Sequence, residues 1–274
     1  MNIYVKFLTG LTIALAIAWL ARRTRTLSRS GMWAAAVVGT LIMGIGGLGW
    51  AVLLMGFFIS SSLLSRLFKA RKAGLDEKFA KSDERDAGQV FANGGFAALF
   101  VLLHMLFPGQ NIAWLGFAGA LAAANADTWA TELGVLSKKP PILITNGTRV
   151  ERGSSGGVTL IGTAAALGGS TFIGLLTLLF WQGVPLTLPY AFTWLAVISL
   201  AGLGGSLVDS LFGATIQAIY HCPHCSKETE KHPLHVCGFT TTLKRGLPWL
   251  NNDWVNAFCT LSGALLAVLA ATLF

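Results

Sequence analysis

The apolar run Ile3–Leu20 leads directly into Arg22-Arg23-Thr24-Arg25-Thr26-Leu27-Ser28-Arg29, and the order of these two pieces decides the fold. A secretory signal carries its positive charge ahead of its apolar core. Here Arg22, Arg23 and Arg25 come after it, so the run is expected to remain as a first membrane helix with its N-terminus outside. The alternation continues down the chain. Nineteen of the 20 Lys and Arg residues lie in four short stretches, 22–29, 66–85, 138–152 and 227–245, and the turns between the other apolar runs carry no charge. Under the positive-inside rule all four basic stretches face the cytoplasm.

Composition points the same way. With 54% hydrophobic residues, 12% charged residues and a mean hydropathy of +0.64, a water-soluble domain is excluded. The pI near 9.6 reflects juxtamembrane loops, which orient the chain and meet anionic headgroups of membrane lipids, so nucleic acid is not an expected partner.

Working outward, Met32–Phe68 is too long for one crossing and is expected to split at Gly44-Ile45-Gly46-Gly47-Leu48-Gly49. Val90–Phe107 and Ile112–Leu133 flank the uncharged turn Pro108-Gly109-Gln110. Val158–Trp181 and Tyr190–Tyr220 flank Gln182–Pro189, and Asn252–Phe274 returns to the outside. The expectation is an all-α, polytopic transmembrane helix bundle of about eight crossings. It forms one integral domain over residues 1–274, with both termini outside and a small cytoplasmic Cys/His loop at 221–245.

Polar groups at membrane depth are costly, so they mark candidate sites. Arg85, Gln89 and Asn93 recur at i, i+4 and i+8 and would form one stripe of donors on an entering helix, suited to an anionic ligand; the plainer reading is an interfacial anchor and a packing Asn. In Asn125-Ala126-Asp127-Thr128-Trp129-Ala130-Thr131-Glu132, the amide and two carboxylates have the oxygen-ligand character of a Mg²⁺ site. Asp127 and Glu132 sit about 140° apart around a regular helix, so they converge only where the helix is distorted or ends.

Gly153-Ser154-Ser155-Gly156-Gly157 precedes a helix start and reads as a phosphate cradle or as a common turn; it is not a P-loop. Ser206, Asp209, Gly213 and Gln217 form a small polar stripe in the seventh helix, with Asp209 the deepest acid. Asn252 and Asn256 lie one turn apart at the start of the last helix, and capping accounts for only one of them. Cys222-Pro223-His224-Cys225 with His235-Val236-Cys237 gives Cys-x2-Cys-x9-His-x-Cys, a ligand set for structural Zn²⁺. His221, His224 and His232 leave that set open, and reduced thiols without metal are the alternative.

Taken together, "SSSLLSR", "RDAGQVFANGG", "ADTWATELG", "GSLVDSLFGA", the Cys-x2-Cys loop and "WLNNDWVN" resemble, in order and over nearly the whole chain from about residue 30, a group of multi-pass proteins that includes plant phytyl-phosphate kinase. The group is distantly similar to dolichol and phytol kinases and to synthases of CDP-diacylglycerol. The resemblance implies a phosphotransferase with a phosphate acceptor: CTP as co-substrate, an isoprenoid monophosphate as acceptor, and a prenyl diphosphate as product.

It carries roles onto Asn125, Asp127, Glu132, Asp209, Ser206, Arg85, Asn93, Asn252 and Asn256. Mg²⁺ held by Asp127 and Asp209, with Glu132 nearby, would bridge donor phosphates. Arg85, Arg149, Arg152 and the turn Ser154, Ser155, Gly156, Gly157 would hold the acceptor and the transferred group. A lipid cytidylyltransferase and an ion-coupled transporter are the competing expectations, and whether the chain forms a homo-oligomer is left open.

Overall fold

The computed structural model describes residues 3–72, 78, 80–81, 84–108, 111–182 and 186–273. Gly109 and Gln110 of one expected turn, and residues 183–185 of the next, lie outside them. The long helices are α1 (Ile3–Arg23), α2 (Arg29–Leu41), α3 (Leu48–Leu67), α4 (Ala87–Leu106), α5 (Asn111–Gly134), α6 (Leu160–Leu179), α7 (Leu188–Thr215) and α8 (Asn252–Ala271). The expected break between the second and third crossings falls where the glycines put it. After α2 the chain widens into a π turn at Ile42–Gly46, then reverses at Gly47, whose φ of +84° suits a residue without Cβ.

Among the described residues seven helical spans are long and apolar enough to cross a bilayer, α2 counting together with its π turn (Arg29–Gly46), and α5 is the exception. Its composition explains why. Every residue from Ala113 to Ala126 is buried, because α5 is the central post against which α3, α4, α6, α7 and α8 pack. A helix enclosed by protein needs small residues for close approach more than greasy ones for lipid. A Cβ on Gly119 would sit 2.4 Å from the Gly263 carbonyl of α8. The outer helices show the opposite pattern, with Leu20, Leu63, Leu175, Leu200 and Leu269 exposed. In water these would be a liability; against acyl chains they are the required surface.

One end of the bundle carries the four basic stretches, and there the connecting segments are tied to one another. Ser28 N donates to Arg85 O and Arg85 N to Thr26 O, at 2.9 and 3.0 Å. Lys78 pairs with Glu151 at 2.7 Å, and Glu230 N donates to Lys78 O at 2.7 Å. The even-numbered helices all start at this end, each with its orphan N–H groups met by a side chain: Ser28 on α2, Asp86 in a capping box with Gln89 on α4, Thr159 on α6 and Asn251 on α8.

The structure departs from the expected boundaries in two places. The seventh crossing ends at Thr215, not Tyr220, because Ala218 N turns to donate to Leu250 O and the chain leaves the helix. Residues 219–245 are then not an irregular loop. Strand β3 (Ile219–Cys222) lies between β4 (Lys227–Thr229) and β5 (Thr242–Arg245) in an antiparallel sheet. A smaller pair, β1 (Ile142–Leu143) and β2 (Gly157–Val158), folds the stretch between α5 and α6.

Candidate functional site

Where the basic end meets the helices, a cavity of about 390 Å³ opens among the ends of α4 to α8. Most of the residues singled out from sequence line it: Arg85, Asn93, Asp127, Glu132, Ser154, Ser155, Gly156, Gly157, Ser206, Asp209, Asn252 and Asn256. They come from four helices and two connecting segments. The wall was therefore assembled by packing and not by neighbours in sequence.

The two acids face each other across α5 and α7. Ser206 lines the same cavity, and the charges of Asp127 and Asp209 lie close enough to act on one another. Among the described residues Asp209 Oδ2 is buried with no hydrogen-bond partner. Among the described residues no cation pairs with either. A buried, unpartnered carboxylate oxygen beside a second carboxylate is costly unless a cation joins them, and hard oxygen donors are the chemistry Mg²⁺ takes.

Arg85 is a buried cation of this site. It precedes α4 instead of riding on it, so the expected Arg85–Gln89–Asn93 stripe is only half helical: Gln89 and Asn93 belong to α4, and Arg85 is fixed by its backbone to the α1–α2 turn. Its guanidinium donates to Ser61 Oγ at 3.0 Å and lies over the Phe57 ring at 5.4 Å. Burial brings it down to about 10, opposed by the charge of Glu132, so it stays protonated. Glu132 itself accepts from Ser65 at 2.6 Å. The carboxylate expected to help hold metal thus sits on the Arg85 side of the cavity.

Asn125 is a correction. It is fully buried, its Oδ1 accepts from Ser60 at 3.0 Å, and its Nδ2 donates to Gly169 O at 2.8 Å. Both ends of the amide are spent joining α5 to α3 and α6, and the side chain does not reach the cavity. Arg149 is exposed and away from the cavity, whereas Arg152 lines it while donating to Ser137 O at 2.7 Å.

The Gly153–Gly157 turn forms one wall, ahead of α6 and not within it. Gly156 has φ +82°, and a Cβ there would meet Ala214 of α7 at 2.4–2.5 Å. Behind the turn stands Glu230, which sequence reasoning missed. Its Oε1 accepts from Ser155 and Gln217 at 3.0 and 2.9 Å, and Ala80 N reaches Oε2 at 3.3 Å. Burial raises its carboxyl above the usual range, partly offset by these donors. Lys81, held between Asp86 and Asp253, is the other unforeseen lining residue. Nothing in the charged runs around either residue marks it as buried.

Outside the cavity, one ligating atom from each of Cys222, Cys225, His235 and Cys237 lies within 4.8 Å of the others. Cys222 and Cys237 sulfurs are 3.6 Å apart, too far for a disulfide and near enough to share an ion. His235 Nε2 is buried without a partner. His224 and His232 stack on Phe239 and Tyr220, and His224 Nδ1 lies 3.8 Å from Cys225 Sγ. The donor set fits tetrahedral zinc, which would fix the β3–β4 hairpin against the segment leading to β5.

Comparison with known proteins adds the following. The family described as integral membrane protein DUF92 matches residues 12–264. Protein PGR of Arabidopsis thaliana is 32% identical, with 97% of this chain and 96% of that protein aligned. An uncharacterized membrane protein of Methanocaldococcus jannaschii is 30% identical over 98% of this chain and 96% of its own. Protein VTE6, chloroplastic, also of Arabidopsis thaliana, is 26% identical over 89% of this chain and 65% of its own. No solved structure matches.

Proposed function

From the premise that the chain belongs to the DUF92 family of integral membrane proteins, we propose that it is a membrane-embedded kinase that transfers a phosphoryl group from CTP to an isoprenoid monophosphate. The resemblance of its motifs to the phytyl-phosphate kinase group supports an isoprenoid substrate. The observation that carries the reading is the cavity at the basic end, where two buried acids from α5 and α7 meet a buried arginine and a glycine-rich turn from two connecting segments.

Phosphoryl transfer between two polyanions needs positioning and charge neutralisation more than a nucleophilic side chain. Asp127 and Asp209 would hold Mg²⁺, which supplies neutralisation of donor-phosphate charge. Arg85 presents a fixed cation to the acceptor phosphate, whose oxygen is already ionised at neutral pH and needs no general base. Asn93, Asn252 and Asn256 offer neutral donors around the same space, and the Gly153–Gly157 turn with the α6 N-terminus offers backbone N–H groups to a phosphate. Glu132 offsets the Arg85 charge and keeps the guanidinium in place. The basic end is cytoplasmic in this reading, where nucleotide is available and an interfacial lipid phosphate can meet it.

The test is to incubate purified protein with labelled CTP, magnesium and a panel of prenyl monophosphates. Release of CDP with formation of a prenyl diphosphate is the expected result. Pyrophosphate with a CDP-lipid would instead make the protein a cytidylyltransferase, and no transfer to any acceptor would refute both.

A further inference from the structure

A second, apolar cleft of about 100 Å³ runs between the α1–α2 pair and the α3–α4 pair. Its walls are mostly aliphatic and aromatic, with Ile17, Val38, Leu54 and Phe58 among them. The polar residues on it are Arg85, Gln89 and Asn93, and these three also line the polar cavity. The two spaces therefore share one wall, dry on one side and charged on the other.

The cleft exists because of how the first four helices pack. α1 rests on α2 and its π turn and makes at most marginal contact with α3, which leaves a gap facing the bilayer. At the basic end the gap is closed by the Arg85 backbone bonded to Thr26 and Ser28 and by Arg66 reaching Thr24 O at 2.8 Å. From Ala21 to Ile13 the α1 wall spans eight residues, or ~12 Å of depth. Ile13, Met43 and Ala51 mark the end farthest from Arg85.

We propose that this cleft holds the isoprenoid tail of the acceptor, with its phosphate on Arg85, and that Met43 and Ala51 at its far end set the preferred chain length. The inference rests on the kinase reading for the identity of the head group. The occupant follows from charge and polarity: an amphiphile with an anionic head and a hydrocarbon tail is what a fixed cation at the mouth of an apolar slot accommodates. The unpacked α1–α3 side gives the tail a lateral way in, so the lipid need not leave the membrane to reach the nucleotide.

Two measurements on the full chain test it. Transfer to geranyl, farnesyl and geranylgeranyl monophosphate is compared for the natural protein, Ala51→Phe and, as a control on the lipid-facing side of α6, Ala164→Phe. Ala51→Phe should raise KM for the longest acceptor about tenfold, a loss of ~1.4 kcal/mol or roughly two buried methylenes, and leave the shortest unchanged. Equal loss on all three acceptors would overturn the proposal.

The second measurement needs no turnover: a prenyl phosphate with a photoactivatable group at the tail end is cross-linked to the protein and the adducts are located by mass spectrometry. Label on peptides containing Ile13, Met43 or Ala51 supports the cleft. Label spread over α6 and α7, or on no preferred peptide, sinks it even where kinase activity is found. Absent activity with label in the cleft would instead remove the kinase reading alone.

Discussion

Replacing Asp209 with Asn separates a metal-binding acid from a structural one, because the two roles predict opposite effects on stability. Asp209 Oδ2 is buried without a partner, no cation pairs with the side chain among the described residues, and Asp127 bears on it. At an effective dielectric near 20, a close pair of like charges at ~4 Å repels by about 4 kcal/mol, which sets the ceiling on what the substitution can relieve. Where the two acids already share a proton, Asn replaces a neutral group and the change is within ~0.5 kcal/mol. Stability without magnesium should therefore stay level or rise, by up to about 2–4 °C per kcal/mol in a thermal scan in detergent.

Magnesium should stabilise the natural protein by about 2.7 kcal/mol at a hundredfold excess over its Kd and give the variant nothing, while turnover falls about a thousandfold, close to 4 kcal/mol. A structurally paired acid would behave in reverse, costing ~3–5 kcal/mol on replacement. Loss of that size in Asp209→Asn, with transfer activity retained, would refute the assignment.

Arg85→Lys keeps the charge but loses the planar fork that Ser61 and the Phe57 ring hold in place, so acceptor KM should rise at least about tenfold with a smaller change in kcat. An unchanged acceptor KM would take Arg85 out of the acceptor site. Gly156→Ala combines a left-handed φ with a Cβ against Ala214 and should cost about 2–4 kcal/mol, whereas Gly147→Ala, with φ +70° and open space, should cost only ~1; equal midpoints would dismiss the packing argument.

Cys222→Ser should lower both zinc content and the thermal midpoint, measured by elemental analysis and scanning; unaltered zinc stoichiometry would end the knuckle reading. Glu230 has its carboxyl raised by burial, so the stability it gives is complete below the unfolded value near ~4.3 and is lost as pH rises through the folded one. Glu230→Gln should therefore flatten the decline in midpoint with rising pH, and an identical slope in both proteins would count against this account.

The chain's own pattern was enough for the bundle. Charge confined to alternate turns fixes which helix ends lie together, and a crossing must have about 20 apolar residues because lipid cannot satisfy a bare backbone. Asp127, Asp209 and Arg85 were legible as candidates for the same reason: ionisable groups at membrane depth are expensive and stand out against an apolar background.

Sequence could not say which of them meet. Asn125 and Asp127 are two residues apart, yet one amide is consumed by Ser60 and Gly169 while the other residue faces the cavity, a difference set by where α3 and α6 pack around α5. Glu230 and Lys81 look like solvated members of charged runs, and only the closing of three connecting segments over one end buries the Glu230 carboxyl and half-buries Lys81. The apolar cleft has no motif at all, being the gap left where α1 and α3 fail to pack. Helix identity is a local property of hydrophobicity and length, whereas a site made from several helices and the segments between them is fixed by contacts between residues far apart in the chain.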